Sequence, residues 1–156
     1  MEYKAPFIKK KEAKPIANNL RMPQSDDIVF VYGTLKPGGH YWPHYCEGKV
    51  NEVRPAQIRG ALYDLHVGYP GVFLRGDEWV QGYVLSFLRP EYFMQLDVLE
   101  GFKSNRPNKL NEYVRVRVDY FNEDGVSLGQ AWAYEMTEAT FNRCSSTRIE
   151  NGNWPV

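Results

Sequence analysis

Glu100 stands in the stretch "LDVLEGF", at the end of a run with helical spacing. Phe93, Leu96 and Leu99 recur at a helical interval with Met94 beside them, Pro90 opens the run and Gly101 closes it. A carboxylate at this end of a helix meets the negative end of the dipole and neighbours Leu96, Leu99 and Phe102. Both surroundings raise its pKa. A carboxyl shifted in this way suits a general base or acid working near neutrality. The ordinary alternative is a solvated helix-end glutamate. Asp97 falls on about the same side of the helix and is the rival carboxylate.

A second stretch, "IVFVYGTLKPGG" over residues 28–39, ends an apolar run at Tyr32 with Gly33 and Thr34. This is either a plain turn or a place where the N–H groups of Gly33, Thr34 and Leu35 approach an anion, with glycine keeping a side chain out of the way. The spacing matches neither the phosphate-binding P-loop nor the dinucleotide fingerprint. No G-x-S-x-G is present to support a nucleophile-elbow hydrolase. His40, His44 and Cys46 form a His-x3-His-x-Cys cluster, but Pro43 interrupts a regular helix between them and no second ligand pair follows. The cluster reads as a surface loop, and no metal and no cofactor are expected.

The elements that must position these residues are mostly strands. "IVFVYG" is the first, and "HYWPHYCEG" a loop or short helix. "AQIRGALYDLHV" is strand-like with a central Gly60, which suits a bulge or a close packing point. "YPGVF" turns into a short strand, and "EWVQGYVLSFL" is a longer one. The helix over "RPEYFMQLDVLEGF" begins favourably with Pro90, whose missing N–H has no intrahelical partner, and ends with a glycine where a C-terminal cap belongs. "SNRPNKLN" is a polar loop. "YVRVRVDYF" alternates Val114, Val116, Val118 and Tyr120 against Arg115, Arg117 and Asp119, the pattern of a half-buried antiparallel strand. "GQAWAYEM" is the last strong strand, and Trp154 is an anchor for the C-terminal tail. Strands with hairpin connections curl or close to hide their edges. The expected fold is therefore α+β: a small, mostly antiparallel β-barrel with one or two flanking helices.

Length and composition bound the rest. The 156 residues suffice for one domain with a real core. Acidic and basic residues balance at 19 each, which argues against nucleic acid as a partner. Residues 1–25 read as a flexible basic tail and residues 26–156 as the single domain, with a basic arm for an acidic partner as the alternative use of the tail. No apolar segment of secretory type follows the N-terminal lysines, and no stretch reaches membrane-spanning length. Two cysteines, Cys46 and Cys144, are too few for a disulfide scaffold. A reduced, cytoplasmic protein is expected, and nothing in the sequence sets its oligomeric state.

"VFVYGTLK", then "LDVLEGF", then "YVRVRV", in that order, resemble the γ-glutamylcyclotransferase-like superfamily, in particular its AIG2-like branch with the γ-glutamylamine cyclotransferases. The resemblance covers roughly residues 28–136. It implies a small β-barrel with flanking helices and a reaction in which a γ-glutamyl amine or γ-glutamyl amino acid yields 5-oxoproline and free amine. It implies a catalytic carboxylate at Glu100, a substrate-binding loop at Tyr32, Gly33, Thr34 and Leu35, and a pocket tyrosine at Tyr134. Relatives often carry a Gly-Glu pair where this chain has Gln81-Gly82-Tyr83, and the loop from Lys103 to Glu112 is long. These departures leave the leaving group open. Lys103, Arg106 and Lys109 on that loop read as solvated, with an acidic substrate as their alternative partner. A non-catalytic binding module for a small anionic γ-glutamyl-like metabolite is the rival function.

Overall fold

The computed structural model describes residues 21–24 and 26–156. The segment expected as a basic tail lies outside the described residues, apart from residues 21–24. Five strands close a barrel: β1 (Ile28–Val31), β2 (Val50–Arg59), β5 (Trp79–Phe87), β6 (Tyr113–Phe121) and β7 (Ser127–Met136), in the order β1-β5-β2-β6-β7. Most neighbours are antiparallel. Closure is made by a parallel contact of β1 with β7, in register at Val29 and Trp132. Beside the barrel, β3 (Ala61–Asp64) pairs with β4 (Pro70–Phe73) and with β8 (Thr147–Arg148) in a second sheet. The helices α1 (Trp42–Tyr45), α2 (Pro90–Leu99) and α3 (Glu138–Arg143) flank these sheets. α3 has no counterpart among the elements expected from sequence. Thr137 caps it, its hydroxyl accepting from the Thr140 N–H.

Strand alternation sorts the side chains into two cores. Phe30, Ile58, Val80, Val84, Tyr120, Ala131 and Ala133 come from all five barrel strands and fill the interior, together with Tyr32 at the end of β1. Val29, Val31, Leu85, Phe87, Trp132 and Tyr134 face outward and pack with Phe93 and Leu96 of α2. Two glycines serve close approach. A Cβ on Gly82 would lie 2.2 Å from the Val31 carbonyl oxygen. One on Gly60 would lie 2.8 Å from that of Phe73. Gly60 is thus a close packing point, and it ends β2 so that the chain passes from the barrel to the second sheet.

The expected solvent face of β6 is corrected by the structure. Arg115 is 1% exposed. The alternation itself holds, but α2 docks over the outer face at this point, and the guanidinium lies 4.4 Å from the Trp132 ring and near Phe93 and Phe102. Its Nε is 3.1 Å from Asp97 Oδ1 without being aimed along a hydrogen bond, so charge attraction joins them. Its other end donates to the Arg21 carbonyl at 2.9 Å.

Cys46 is buried and its thiol is pushed up to about 12 by that burial, whereas His40 and His44 lie in the turn and helix outside. Among the described residues no group of three His, Cys, Asp or Glu is arranged to hold a metal ion. Both cysteines are free thiols. Among the described residues no helix is long and apolar enough to cross a membrane.

Candidate active site

Glu100 is placed by the way α2 stops. Gly101 adopts φ +66°, its N–H donates to the Val98 carbonyl and the Phe102 N–H donates to the Asp97 carbonyl. These two bonds form the glycine-terminated Schellman arrangement, which needs the left-handed conformation that glycine takes without strain. Phe102, next in the chain, is buried in the outer core. The last helical turn is locked, and Glu100 with it.

The loop after α2 then folds back on the cap. Asn111 is buried and its amide closes the loop, accepting from the Lys103 N–H and donating to the Lys103 carbonyl. Arg106 donates to the Asn111 side chain and to the Gly101 carbonyl, so it staples the loop. Lys103 and Lys109 are exposed. The Glu112 N–H donates to the Gly101 carbonyl at 3.2 Å, which brings a second carboxylate beside Glu100.

These residues meet at a cavity of about 230 Å³. Tyr32, Gly33, Thr34, Leu35, Glu100 and Tyr134, each singled out from the sequence, all line it, along with Glu112, Tyr69, Tyr113 and Pro70. Glu100 is half-buried in its wall. Loss of water around it, then the nearby charges of Glu112 and Asp97, push its carboxyl up to about 8. No hydrogen bond from the described residues holds it in the ionised form. Asp97 is not a second member of the wall. It accepts from the Tyr134 hydroxyl at 2.5 Å and pairs with Arg115. Burial raises its pKa, and those two partners pull it back only in part.

Gly33 has a different reason from the one read in the sequence. A Cβ there would stand 2.8 Å from Pro70 Cγ, so glycine is required by the ring of Pro70 on β4 rather than by an open face for an anion. The loop beyond it is a series of turns. Lys36 N–H donates to Gly33, Gly39 N–H to Lys36 and Tyr41 N–H to Thr34. Among the described residues, the N–H groups of Gly33, Thr34 and Leu35 donate to no backbone carbonyl. All three residues line the cavity.

The family model described as gamma-glutamyl cyclotransferase, AIG2-like, matches residues 29–156. The chain belongs to this AIG2-like family. Its activity is accordingly of gamma-glutamyl cyclotransferase type. A curated relative, the gamma-L-glutamyl-butirosin B gamma-glutamyl cyclotransferase of Niallia circulans, is 26% identical over 147 residues, covering 90% of this chain and 86% of the relative. The AIG2-like protein of Mus musculus shares the fold with TM-score 0.54 and 19% identity, over 72% of this chain and 78% of that one. YkqA of Bacillus subtilis shares it with TM-score 0.57 and 22% identity, over 82% of this chain but 39% of that longer one.

Within this AIG2-like barrel, sequence reasoning missed Glu112 and Tyr69. Tyr69 donates its hydroxyl to Glu112 Oε2 at 2.5 Å, and burial together with that bond raises the phenol. Neither residue carries a motif. The sole signal for Glu112 is its place as the last residue before β6, which becomes informative only once the loop is known to close on Gly101.

Proposed function

We propose that the protein converts a γ-glutamyl amine or γ-glutamyl amino acid to 5-oxoproline and free amine, with Glu100 as the proton carrier. One observation carries this reading: a carboxyl pushed up to about 8 lines the same small cavity as the loop Tyr32–Leu35. The substrate brings its own nucleophile. Glu100 takes a proton from the α-ammonium, the freed α-amine attacks the γ-carbonyl, and the new C–N bond closes a five-membered lactam. The ring nitrogen then gives up its second proton and the old amide C–N bond breaks. Both protons pass through Glu100 to the leaving nitrogen, which departs as an ammonium. No water is consumed and no covalent enzyme intermediate forms. A base with a pKa near that of its task is effective in both directions.

Holding the glutamyl chain in a ring-closing conformer supplies much of the rate in reactions of this type. The N–H groups of Gly33, Thr34 and Leu35, which donate to no backbone carbonyl among the described residues, suit the α-carboxylate or the developing oxyanion. Tyr134 forms wall and, through Asp97, steadies α2. The two free thiols favour a reducing compartment, which supports a cytoplasmic setting.

The test is 5-oxoproline release from a panel of γ-glutamyl amines and dipeptides, including γ-glutamyl-ε-lysine, with Glu100→Gln alongside. Product from the native chain and none from the folded variant is the expected result. No product from any member, with thermal stabilisation by the same compounds, would replace the enzyme with a binding module.

A further inference from the structure

The loop that follows β1 is built from tight turns. Among the described residues its backbone hydrogen bonds are internal, from the Lys36 N–H to Gly33, from Gly39 to Lys36 and from Tyr41 to Thr34. Such turns hold the loop's own shape but do not fix where it stands against the barrel. Lys36 carries a tie that leaves it. Gly33, Thr34 and Leu35 line the cavity of Glu100, whereas Lys36 lines a second cavity together with Asn153 and Trp154.

Lys36 is 4% exposed. A cation so deep ordinarily has a carboxylate beside it. Here Nζ donates to Asn153 Oδ1 at 2.8 Å and to the Trp154 carbonyl at 2.6 Å, both of them neutral oxygens. Burial lowers the pKa of the ammonium, and no carboxylate of the described residues pulls it back. The cost of burying this charge is therefore set against position rather than against an ion pair.

The segment that supplies the two oxygens is itself fixed. Beyond β8, the Ile149 N–H donates to the Leu62 carbonyl of β3 at 2.8 Å, and the Gly152 carbonyl accepts from the Gln81 N–H of β5 at 2.8 Å. Gly152 takes φ +68°, where a side chain would strike the Trp79 carbonyl. Trp154 packs against the inner core. We propose that this segment is a working part of the site: Lys36 and Asn153 are positioning residues that hold the N–H groups of Gly33, Thr34 and Leu35 in place for the α-carboxylate of the γ-glutamyl group. The inference rests on the cyclotransferase reading given above and deepens it.

Amide hydrogen exchange and ligand binding test this in the native protein, Lys36→Met, Asn153→Ala and Asn153→Asp. Exchange at the Gly39 and Tyr41 N–H groups is expected to quicken about tenfold in Lys36→Met while the barrel strands keep their rates, because a lost tether opens the structure locally. Calorimetry gives Kd for glutaryl n-pentylamide, which keeps the carboxylate but lacks the α-amine and cannot cyclise, and for butyryl n-pentylamide, which lacks both. The native protein should favour the carboxylate compound on the order of tenfold, as charge-assisted bonds imply. Lys36→Met brings that ratio toward one and Asn153→Ala falls between. Asn153→Asp, whose carboxylate still accepts from Lys36, stays near the native ratio. A general loss of folding does not move a ratio. Should Lys36→Met fail to fold, the two variants at the exposed Asn153 carry the same comparison. Loop exchange at the native rate in the folded Lys36→Met and Asn153→Ala variants, a native ratio near one, or a ratio that neither variant changes overturns the proposal. If γ-glutamyl n-pentylamide yields no 5-oxoproline while exchange and ratio behave as expected, the positioning role stands and the cyclotransferase reading falls. Product formation with neither effect has the opposite meaning.

Discussion

The Tyr134 hydroxyl donates to Asp97 Oδ1 at 2.5 Å and so ties the last barrel strand to the helix whose C-cap, three residues later, is Glu100. Tyr134→Phe removes this tie and leaves Asp97 with Arg115 alone. The expected outcome is a stability loss of about 1–2 kcal/mol in denaturant unfolding. A fall in kcat larger than any rise in KM should accompany it, because the misplaced group is the proton carrier rather than the binding loop.

The pH dependence of kcat/KM follows from Glu100. The carboxyl must be ionised to accept a proton, and burial, Glu112 and Asp97 hold it at about 8. Activity should therefore rise with pH through an ascending limb near that value. Glu112→Gln removes the larger of the two neighbouring charges and should move the limb to lower pH. A limb that stays in place would separate Glu112 from the electrostatics of Glu100.

Stability should change with pH in the opposite sense. The folded-state value of Glu100, about 8, lies above its ordinary 4.5, so between these values the folded chain holds a proton that the unfolded chain releases. The stability from this group is present below 4.5 and is lost as pH rises through about 8. Glu100→Gln cannot titrate. Its Tm relative to the native protein should rise steadily from about pH 5 to about pH 9.

Arg115 and Asp97 form a pair beneath α2. Arg115→Met keeps an apolar body against Trp132 but strands the carboxylate, and should cost about 3 kcal/mol. The double variant with Asp97→Asn should lose less than the sum of the two single changes, by about 1–2 kcal/mol in a double-mutant cycle.

Gly33→Ala drives a methyl group into the Pro70 ring. A loss of about 1–3 kcal/mol is expected from this overpacking. Adding Pro70→Ala should recover part of it. No recovery would mean that the loop needs glycine for some other reason.

By itself the sequence determined the features that arise within a few residues of each other. Pro90 and Gly101 bound α2 because a missing N–H and a left-handed cap are local requirements, and they put Glu100 at the helix end. Alternation located β6 and β7, and the turn after Tyr32 was visible in its glycine and hydroxyl residues. Tertiary structure decided the rest. Arg115 sits on the face that alternation marks as polar, yet a helix from another part of the chain covers that face, and periodicity carries no information about what arrives from outside. Gly33 is glycine because of Pro70, 37 positions later in the chain. Glu112 joins Glu100 only because Asn111 and Arg106 fold the intervening loop back on Gly101. The raised pKa of Glu100 likewise depends on lost water and a second carboxylate, which are properties of the assembled cavity wall rather than of any stretch of sequence.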